Sequence, residues 1–322
     1  MKIVCPDGDQ VRRDMLEKKW VEQFQVNGGL TWYNDRPEST QEYLRRVEDA
    51  EGVLLFWGFP LEVMARCHNL KIVSYVGTGA ARYIDLEAAT EMGITVCNVP
   101  TYCDNAVAEH TFALMLGLAR QINSLEGSLR QGDWPQPLVM ELKGKVLGLL
   151  GLGSIGRKVA ALANAFEMKV ICWTKHPSPE RAKEAGVEFV SFNQLFSEAD
   201  IVSLHLTHST ETEGIVGKNE LALMKPGSLL INTARGELVD TSALVAALKL
   251  GSISGAGLDV FASEPLPAGH SLTKLDNVIL SPHVAFNTPE AIKKSIELAL
   301  ENFIQFEKGE PVNVVNEWPQ NL

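Results

Sequence analysis

Basic residues are scarce in this chain: 29 Lys and Arg stand against 40 Asp and Glu, for a formal net charge of −11. A nucleic-acid-binding body needs a basic face, so this balance argues against that class and leaves room only for a local patch. Long apolar runs are missing as well. Stretches such as residues 112–119 fall far short of the roughly 20 residues that a membrane-spanning helix needs. The N-terminus, Met1-Lys2-Ile3-Val4-Cys5-Pro6-Asp7, turns acidic too early for a secretory signal. Five cysteines form no CxxC pair and no cluster with zinc-ligand spacing, which speaks against a disulfide framework and a zinc module. Cys5 and Cys172 lie in or beside apolar strand-like runs and read as buried thiols. The expectation is a cytoplasmic protein with no membrane, nucleic-acid or metal partner.

What is present is an ordinary globular composition, 45% apolar and 21% charged, over 322 residues, enough for two domains. Short β-branched runs alternate with helical patterns almost from end to end, the signature of βαβ units and a parallel sheet. Strands are expected at residues 2–5, 52–56, 71–75 and 95–97, with helical patterns at 62–66 and 86–92 between them. After Pro100 one long helical pattern runs from near Asn105 toward Arg130, closed by a loop with Gly132, Pro135 and Pro137. A second series opens at 145–150 and continues with strands at 169–173, 201–205, 228–232, 255–259 and 278–281. A last amphipathic helix is expected over 289–306 and an extended stretch over 311–315.

Gly151-Leu152-Gly153-Ser154-Ile155-Gly156 is a GxGxxG placed between a buried-strand run, Val146-Leu147-Gly148-Leu149-Leu150, and a helix that opens at Arg157. In that setting Gly151 serves the tight turn, Gly153 the approach of a pyrophosphate and Gly156 the packing of helix on strand. The helix N-terminus offers unpaired N–H groups to phosphates. An NAD site usually adds an acid at the end of the next strand, for the ribose 2′-hydroxyl. Here that strand ends Thr174-Lys175-His176, with no carboxylate. A hydroxyl followed by two potential cations suits a 2′-phosphate better, so the expected cofactor is NAD(P), with NADP(H) slightly favoured.

Three later segments end strands with polar residues: Asn232-Thr233-Ala234-Arg235-Gly236, Gly257-Leu258-Asp259-Val260-Phe261 with Glu264-Pro265, and Ser281-Pro282-His283. Open α/β sheets bind ligands at such strand ends. With the GxGxxG block these motifs stand in the order typical of the D-isomer-specific 2-hydroxyacid dehydrogenase family, which the chain resembles over nearly its whole length, most densely over residues 98–288. The resemblance implies two Rossmann-like parallel-sheet α/β domains separated by a cleft, the substrate domain being discontinuous in sequence. Residues 1–99 and 288–322 would form that flavodoxin-like substrate domain. Residues 100–287 would form the dinucleotide domain, with a dimerisation arm near 105–140 and a homodimer as the expected assembly.

By position, the resemblance makes Arg235, Glu264 and His283 the catalytic residues. Arg235 would grip the substrate carboxylate and reacting oxygen with its planar fork. His283 would be the acid in reduction and the base in oxidation, with Glu264 orienting its ring. Asp259 would bind the nicotinamide carboxamide, while Thr207, Thr233 and Ala234 would line the cofactor. The loop Val76-Gly77-Thr78-Gly79 would receive the substrate carboxylate on its backbone N–H groups. His110 and His205 read as structural, and His205 with His208 makes no metal site.

The sequence also departs from the family. Ala80-Ala81-Arg82-Tyr83 precedes Ile84-Asp85-Leu86 where the family has an Asp-Asn pair, and Leu206-Thr207-His208-Ser209 replaces a Leu-Pro-Leu-Thr segment. Phe56, Trp57 and Phe59 would form a bulky wall suited to small or flat acids, or would belong to the core. The function expected is reduction of small 2-oxo acids to D-2-hydroxy acids, of the glyoxylate or hydroxypyruvate type. Alternatives within the family are phosphoglycerate, D-lactate and phosphite oxidation. Formate oxidation fits less well, because those enzymes carry Gln at the place of Glu264. A dinucleotide-sensing scaffold or corepressor is the alternative from another class, with only the tail at 318–322 to serve as an interaction segment.

Overall fold

A computed structural model of the chain describes residues 1–25 and 29–317; residues 26–28 and the tail at 318–322 lie outside the described residues. The chain divides into two compact units, Met1–Cys103 with Thr288–Leu322, and Asp104–Asn287. Both are built on an entirely parallel sheet, the α/β class that the alternation of patterns implies. Among the described residues no helix is long and apolar enough to cross a membrane.

The first unit holds β1 (Ile3–Cys5), β2 (Leu30–Trp32), β3 (Gly52–Leu55), β4 (Ile72–Tyr75) and β5 (Thr95–Cys97), ordered β2-β1-β3-β4-β5. Every residue of β1, β3, β4 and β5 is buried, as befits strands covered on both faces. The helix Pro289–Glu307 returns to this unit and is tied to its sheet by polar bonds. Ser74 Oγ donates to the Ala299 carbonyl at 2.9 Å, and Asn302 Nδ2 donates to Ser74 Oγ at 3.0 Å. The stretch expected to be extended bridges the edge strand: Val314 pairs antiparallel with Cys97, and Val315 N–H reaches the Val96 carbonyl at 2.9 Å. β2 is an addition to the sequence reading. It is three residues long and half-exposed at the sheet edge, without the burial that marks β1 and β5.

The second unit holds β6 (Val146–Leu150), β7 (Lys169–Trp173), β8 (Glu188–Phe189), β9 (Ile201–Leu204), β10 (Leu229–Asn232), β11 (Gly255–Leu258) and β12 (Val278–Leu280). Their order, β12-β11-β10-β9-β6-β7-β8, places β6 where the winding reverses, the Rossmann arrangement. β8, two residues at the edge, was likewise not anticipated.

The expected single helix from Asn105 toward Arg130 is two helices, Asp104–Ala119 and Ile122–Arg130. Gln121 takes a left-handed backbone, φ +53°, which ends the first. The first helix lies directly on the sheet, and Gly257 permits this, since a Cβ there would stand 2.9 Å from Leu114 Cβ. The second buries none of its residues. Apolar residues run across the junction at helical spacing, Leu118, Ile122, Leu125 and Leu129, so periodicity alone could not show the break.

Candidate active site

All seven strands of the second unit run the same way, so every segment that follows a strand emerges at one edge of its sheet. The glycine loop follows β6. Gly151 has φ +105°, and a Cβ there would stand 2.6 Å from the His205 carbonyl oxygen. A Cβ on Gly156 would meet the Gly151 oxygen at 2.7 Å. Gly153 differs: it caps the helix Ser154–Ala165, and a Cβ on it meets no protein atom within 4 Å. Two glycines thus close the turn, and the third keeps the helix N-terminus approachable, which fits a pyrophosphate. Ser154 donates to Asp104 Oδ1 at 3.1 Å, and Ile155 packs on the core.

At the end of β7, Thr174 Oγ1 lies 3.5 Å from the His176 N–H, and Lys175 pairs with Glu211. Arg181, which the sequence reading passed over, donates to the Leu152 carbonyl at 2.9 Å and to the His176 carbonyl, joining the glycine loop to the strand-end loop. Thr207 accepts from Thr212 Oγ1 at 2.8 Å through its carbonyl.

At the end of β10 the buried Asn232 shapes the turn. Its Oδ1 accepts from Ala234 N–H at 3.0 Å, and its Nδ2 donates to the Arg235 carbonyl at 2.8 Å. Thr111 Oγ1 donates to the Val107 carbonyl, so in the 2.8 Å contact between the two hydroxyls Thr233 is the donor. The Thr233 hydroxyl is therefore turned toward the helix Asp104–Ala119. Arg235 uses one donor on the Ala234 carbonyl at 2.6 Å, and its other donors meet no protein acceptor among the described residues. Gly236 makes the next approach: a Cβ there would lie 2.0 Å from the Phe261 carbonyl carbon and 2.3 Å from Ala262 N. The Arg235 turn is thereby pressed against the segment that leads to Glu264.

Glu264 and His283 meet directly, with Glu264 Oε2 at 2.9 Å from His283 Nδ1. A carboxylate only accepts, so Nδ1 carries the hydrogen of this bond, and Nε2 meets no protein partner among the described residues. Phe286 stands edge-on to the ring, centroids 5.9 Å apart. No hydrogen bond joins Arg235 to either residue among those described. Asp259 is wholly buried, and its carboxylate serves the loop of His283: it accepts from Ser281 Oγ at 2.6 Å, Val284 N–H at 3.0 Å and Ala285 N–H at 2.9 Å. His110 Nε2 touches Ser281 Oγ at 2.8 Å. Asn232, Gly236, Ser281 and His110 were not assigned to the site from sequence. Asn232, Gly236 and Ser281 stand within the strand-end motifs, which could have pointed to them, whereas no sequence signal links His110 to the site.

In the first unit, the loop Val76-Gly77-Thr78-Gly79 follows β4. The Val76 and Gly77 N–H groups donate to Leu55 and Tyr75 carbonyls at 2.8 and 2.9 Å, and those of Thr78 and Gly79 meet no acceptor among the described residues. Arg82 ends a short 3-10 turn, Ala80–Arg82, and is exposed. Phe56 and Phe59 are buried in the unit, while Trp57 is half-buried with Arg36 stacked at 3.6 Å from its ring. Among the described residues no group of three metal-ligating side chains occurs, and all five cysteines are buried and free.

The family model for the D-isomer specific 2-hydroxyacid dehydrogenase, NAD binding domain, matches residues 112–285. The chain belongs to this family. It is accordingly an oxidoreductase that uses a nicotinamide dinucleotide. It is 43% identical over 265 residues to the glyoxylate reductase of Thermococcus litoralis, covering 79% of this chain and 80% of that one. The hydroxypyruvate reductase of Blautia hydrogenotrophica is 34% identical over 328 residues, covering 98% and 100%. Among solved structures, an acyclic imino acid reductase in complex with NADPH and D-Arg superposes with a TM-score of 0.85, at 33% identity and 98% and 100% coverage.

Proposed function

We propose that this dehydrogenase works mainly as a reductase of small 2-oxo acids, of the glyoxylate and hydroxypyruvate type, yielding D-2-hydroxy acids. The observation that carries the chemistry is the Glu264–His283 pair, which holds the imidazole by Nδ1 and leaves Nε2 for a ligand, at the strand edge that bears the glycine loop. The nicotinamide of a dinucleotide held at the glycine loop would supply the hydride. His283 protonates the reacting oxygen from Nε2, while Glu264 holds the ring and balances its charge. Arg235 binds the carboxylate and the developing alkoxide with a permanent cation, which lowers the barrier electrostatically. The Thr78 and Gly79 N–H groups are assigned to the substrate carboxylate.

On this reading the Asp104–Asn287 unit is the dinucleotide domain and the other unit the substrate domain. A homodimer is proposed through the segment after the first long helix, where Ile122, Leu129, Trp134 and Leu138 expose 57%, 51%, 77% and 99% of their surface. NADP(H) is the favoured cofactor. Thr174, Lys175 and His176 place no carboxylate at the ribose, and Arg181 adds a guanidinium beside them.

The test is oxidation of NADPH and of NADH, followed by absorbance over glyoxylate, hydroxypyruvate, pyruvate, 2-oxoglutarate and phenylpyruvate. Turnover highest with glyoxylate or hydroxypyruvate and NADPH is expected. A strong preference for NADH removes the cofactor argument alone, and activity confined to other acids removes the substrate assignment.

A further inference from the structure

We infer that His110 is a positioning residue for the reaction: as an N–H donor from Nε2, it holds Ser281 and Asp259, and through them the backbone that presents His283. This rests on the reading of His283 as the proton donor.

His283 has a left-handed backbone, φ +54°, a conformation that a residue with a Cβ keeps only where its surroundings enforce it. Asp259 does the enforcing. Its carbonyl accepts the His283 N–H at 2.8 Å, and its two carboxylate oxygens take the next two N–H groups, of Val284 and Ala285. The orientation of that carboxylate therefore sets the course of the chain on both sides of the imidazole.

Proton counting then fixes the role of His110. The Ser281 hydroxyl has one hydrogen, and Asp259 Oδ1 at 2.6 Å takes it, because a carboxylate only accepts. Ser281 Oγ must be the acceptor in its 2.8 Å contact with His110, so Nε2 carries the hydrogen. The same nitrogen lies 3.5 Å from Asp259 Oδ1, and among the described residues no Lys or Arg pairs with this buried carboxylate. His110 is thus the outer anchor of a chain that runs Nε2–H to Oγ–H to Oδ1.

The adjacent residue, Thr111, receives the Thr233 hydroxyl at 2.8 Å. Two successive residues of one helix thereby hold the strand-end turn of Arg235 and that of His283. The helix lies on the sheet that bears both turns, so their relative register follows from one rigid element.

The experiment compares His110→Leu, His110→Gln, Ser281→Ala, the His110→Leu/Ser281→Ala double variant and His283→Asn, in steady-state reduction of glyoxylate with NADPH. A glutamine amide brings an N–H donor to about the place of Nε2, and leucine brings none. The expected result is a kcat about tenfold or more lower for His110→Leu and a loss no more than about threefold for His110→Gln, with KM for the cofactor little changed in both. Ser281→Ala should lose as much as His110→Leu, and the double variant no more than either, since the two act in series. Full kcat in His110→Leu, equal impairment of the Leu and Gln variants, or additive losses in the double variant each overturn the inference. The tautomer gives a readout that needs no variant: nitrogen NMR of the wild type should find the neutral His110 ring protonated at Nε2, and protonation at Nδ1 overturns the inference. Near-normal turnover in His283→Asn overturns both this inference and the reading beneath it. An inactive His283→Asn beside an unimpaired His110→Leu overturns this inference alone.

Discussion

The two oxygens of the Glu264 carboxylate serve different groups: Oε2 takes His283 Nδ1 at 2.9 Å, and Oε1 takes the backbone N–H of Phe261 at 3.0 Å. The second bond anchors the first, because it fixes the carboxylate to a segment already pressed against Gly236. A glutamine keeps one acceptor oxygen and turns the other position into a donor, so with its oxygen on the Phe261 N–H it would face Nδ1 as a donor and favour the wrong tautomer. Glu264→Gln should therefore lower kcat by about 10- to 100-fold, and His283→Asn by about 100- to 10,000-fold. Both variants should bind NADPH as the wild type does, read by fluorescence titration. Wild-type kcat in Glu264→Gln would show that the ring needs no orienting partner.

Gly236 offers a sharper steric prediction. An added Cβ would lie 2.0 Å from the Phe261 carbonyl carbon and 2.3 Å from Ala262 N, and both are backbone atoms that have no rotamer to escape into. Gly236→Ala must push the Arg235 turn away from the segment that carries Glu264. The expected cost is about 1–3 kcal/mol of stability, as for other overpacked sites, with a loss of kcat larger than the loss of stability explains. Urea denaturation gives the first quantity and steady-state kinetics the second. A variant as stable and as active as the wild type would mean the two segments are not held in contact.

The sequence carried the strong signals of this fold and few of its couplings. Buried strands such as Val146–Leu150 announce themselves because every position is apolar or glycine, whereas Glu188–Phe189 has only two residues in which to do so. The helix Ile122–Arg130 carries apolar residues at helical spacing but buries nothing, a distinction that periodicity does not contain. In the site, Arg235, Glu264 and His283 stand in recognisable motifs. Their supports do not: His110 lies 171 positions from Ser281, and Thr111 lies 122 from Thr233. Such long-range pairs exist only once the sheet has brought the strand ends to one edge. Thr233 illustrates the converse, a motif residue whose hydroxyl the fold turns inward.

Cofactor preference should respond to residues beyond the strand-end tripeptide. Arg181 joins the Leu152 and His176 carbonyls, which places a permanent cation beside the expected ribose position. Glu211 pairs with Lys175 and competes with a 2′-phosphate for it. Arg181→Ala should raise KM for NADPH by about tenfold and that for NADH less, in line with the loss of a charged hydrogen bond. Glu211→Gln should shift the ratio the other way, by a few-fold, because both members of that pair are exposed and water screens them. Equal changes for both cofactors in Arg181→Ala would assign the residue to loop structure and not to the phosphate.

Two buried titratable groups, one in each unit, should give opposite pH dependences of stability. Burial raises the Asp7 carboxyl from 3.8 to about 6, against the opposing N–H bonds from Phe56 and Trp57. Burial lowers His205 from 6.5 to about 4, with its Nε2 at 2.9 Å from Ser203 Oγ. For Asp7 the folded state holds its proton to higher pH than the unfolded state, so its contribution is full below 3.8 and is lost as the pH rises through 6. For His205 the unfolded state takes up the proton first, so stability is full above 6.5 and falls as the pH drops toward 4. Each effect amounts to about 3 kcal/mol at most, and that of His205 to less, since the residue keeps some contact with water. Acidification from pH 7 to 4.5 therefore strengthens one term and weakens the other. Asp7→Asn should steepen the fall in stability with acid, and His205→Asn should flatten it, both read from urea midpoints across that range. Parallel curves for Asp7→Asn and the wild type would place the Asp7 carboxyl back in the ordinary range.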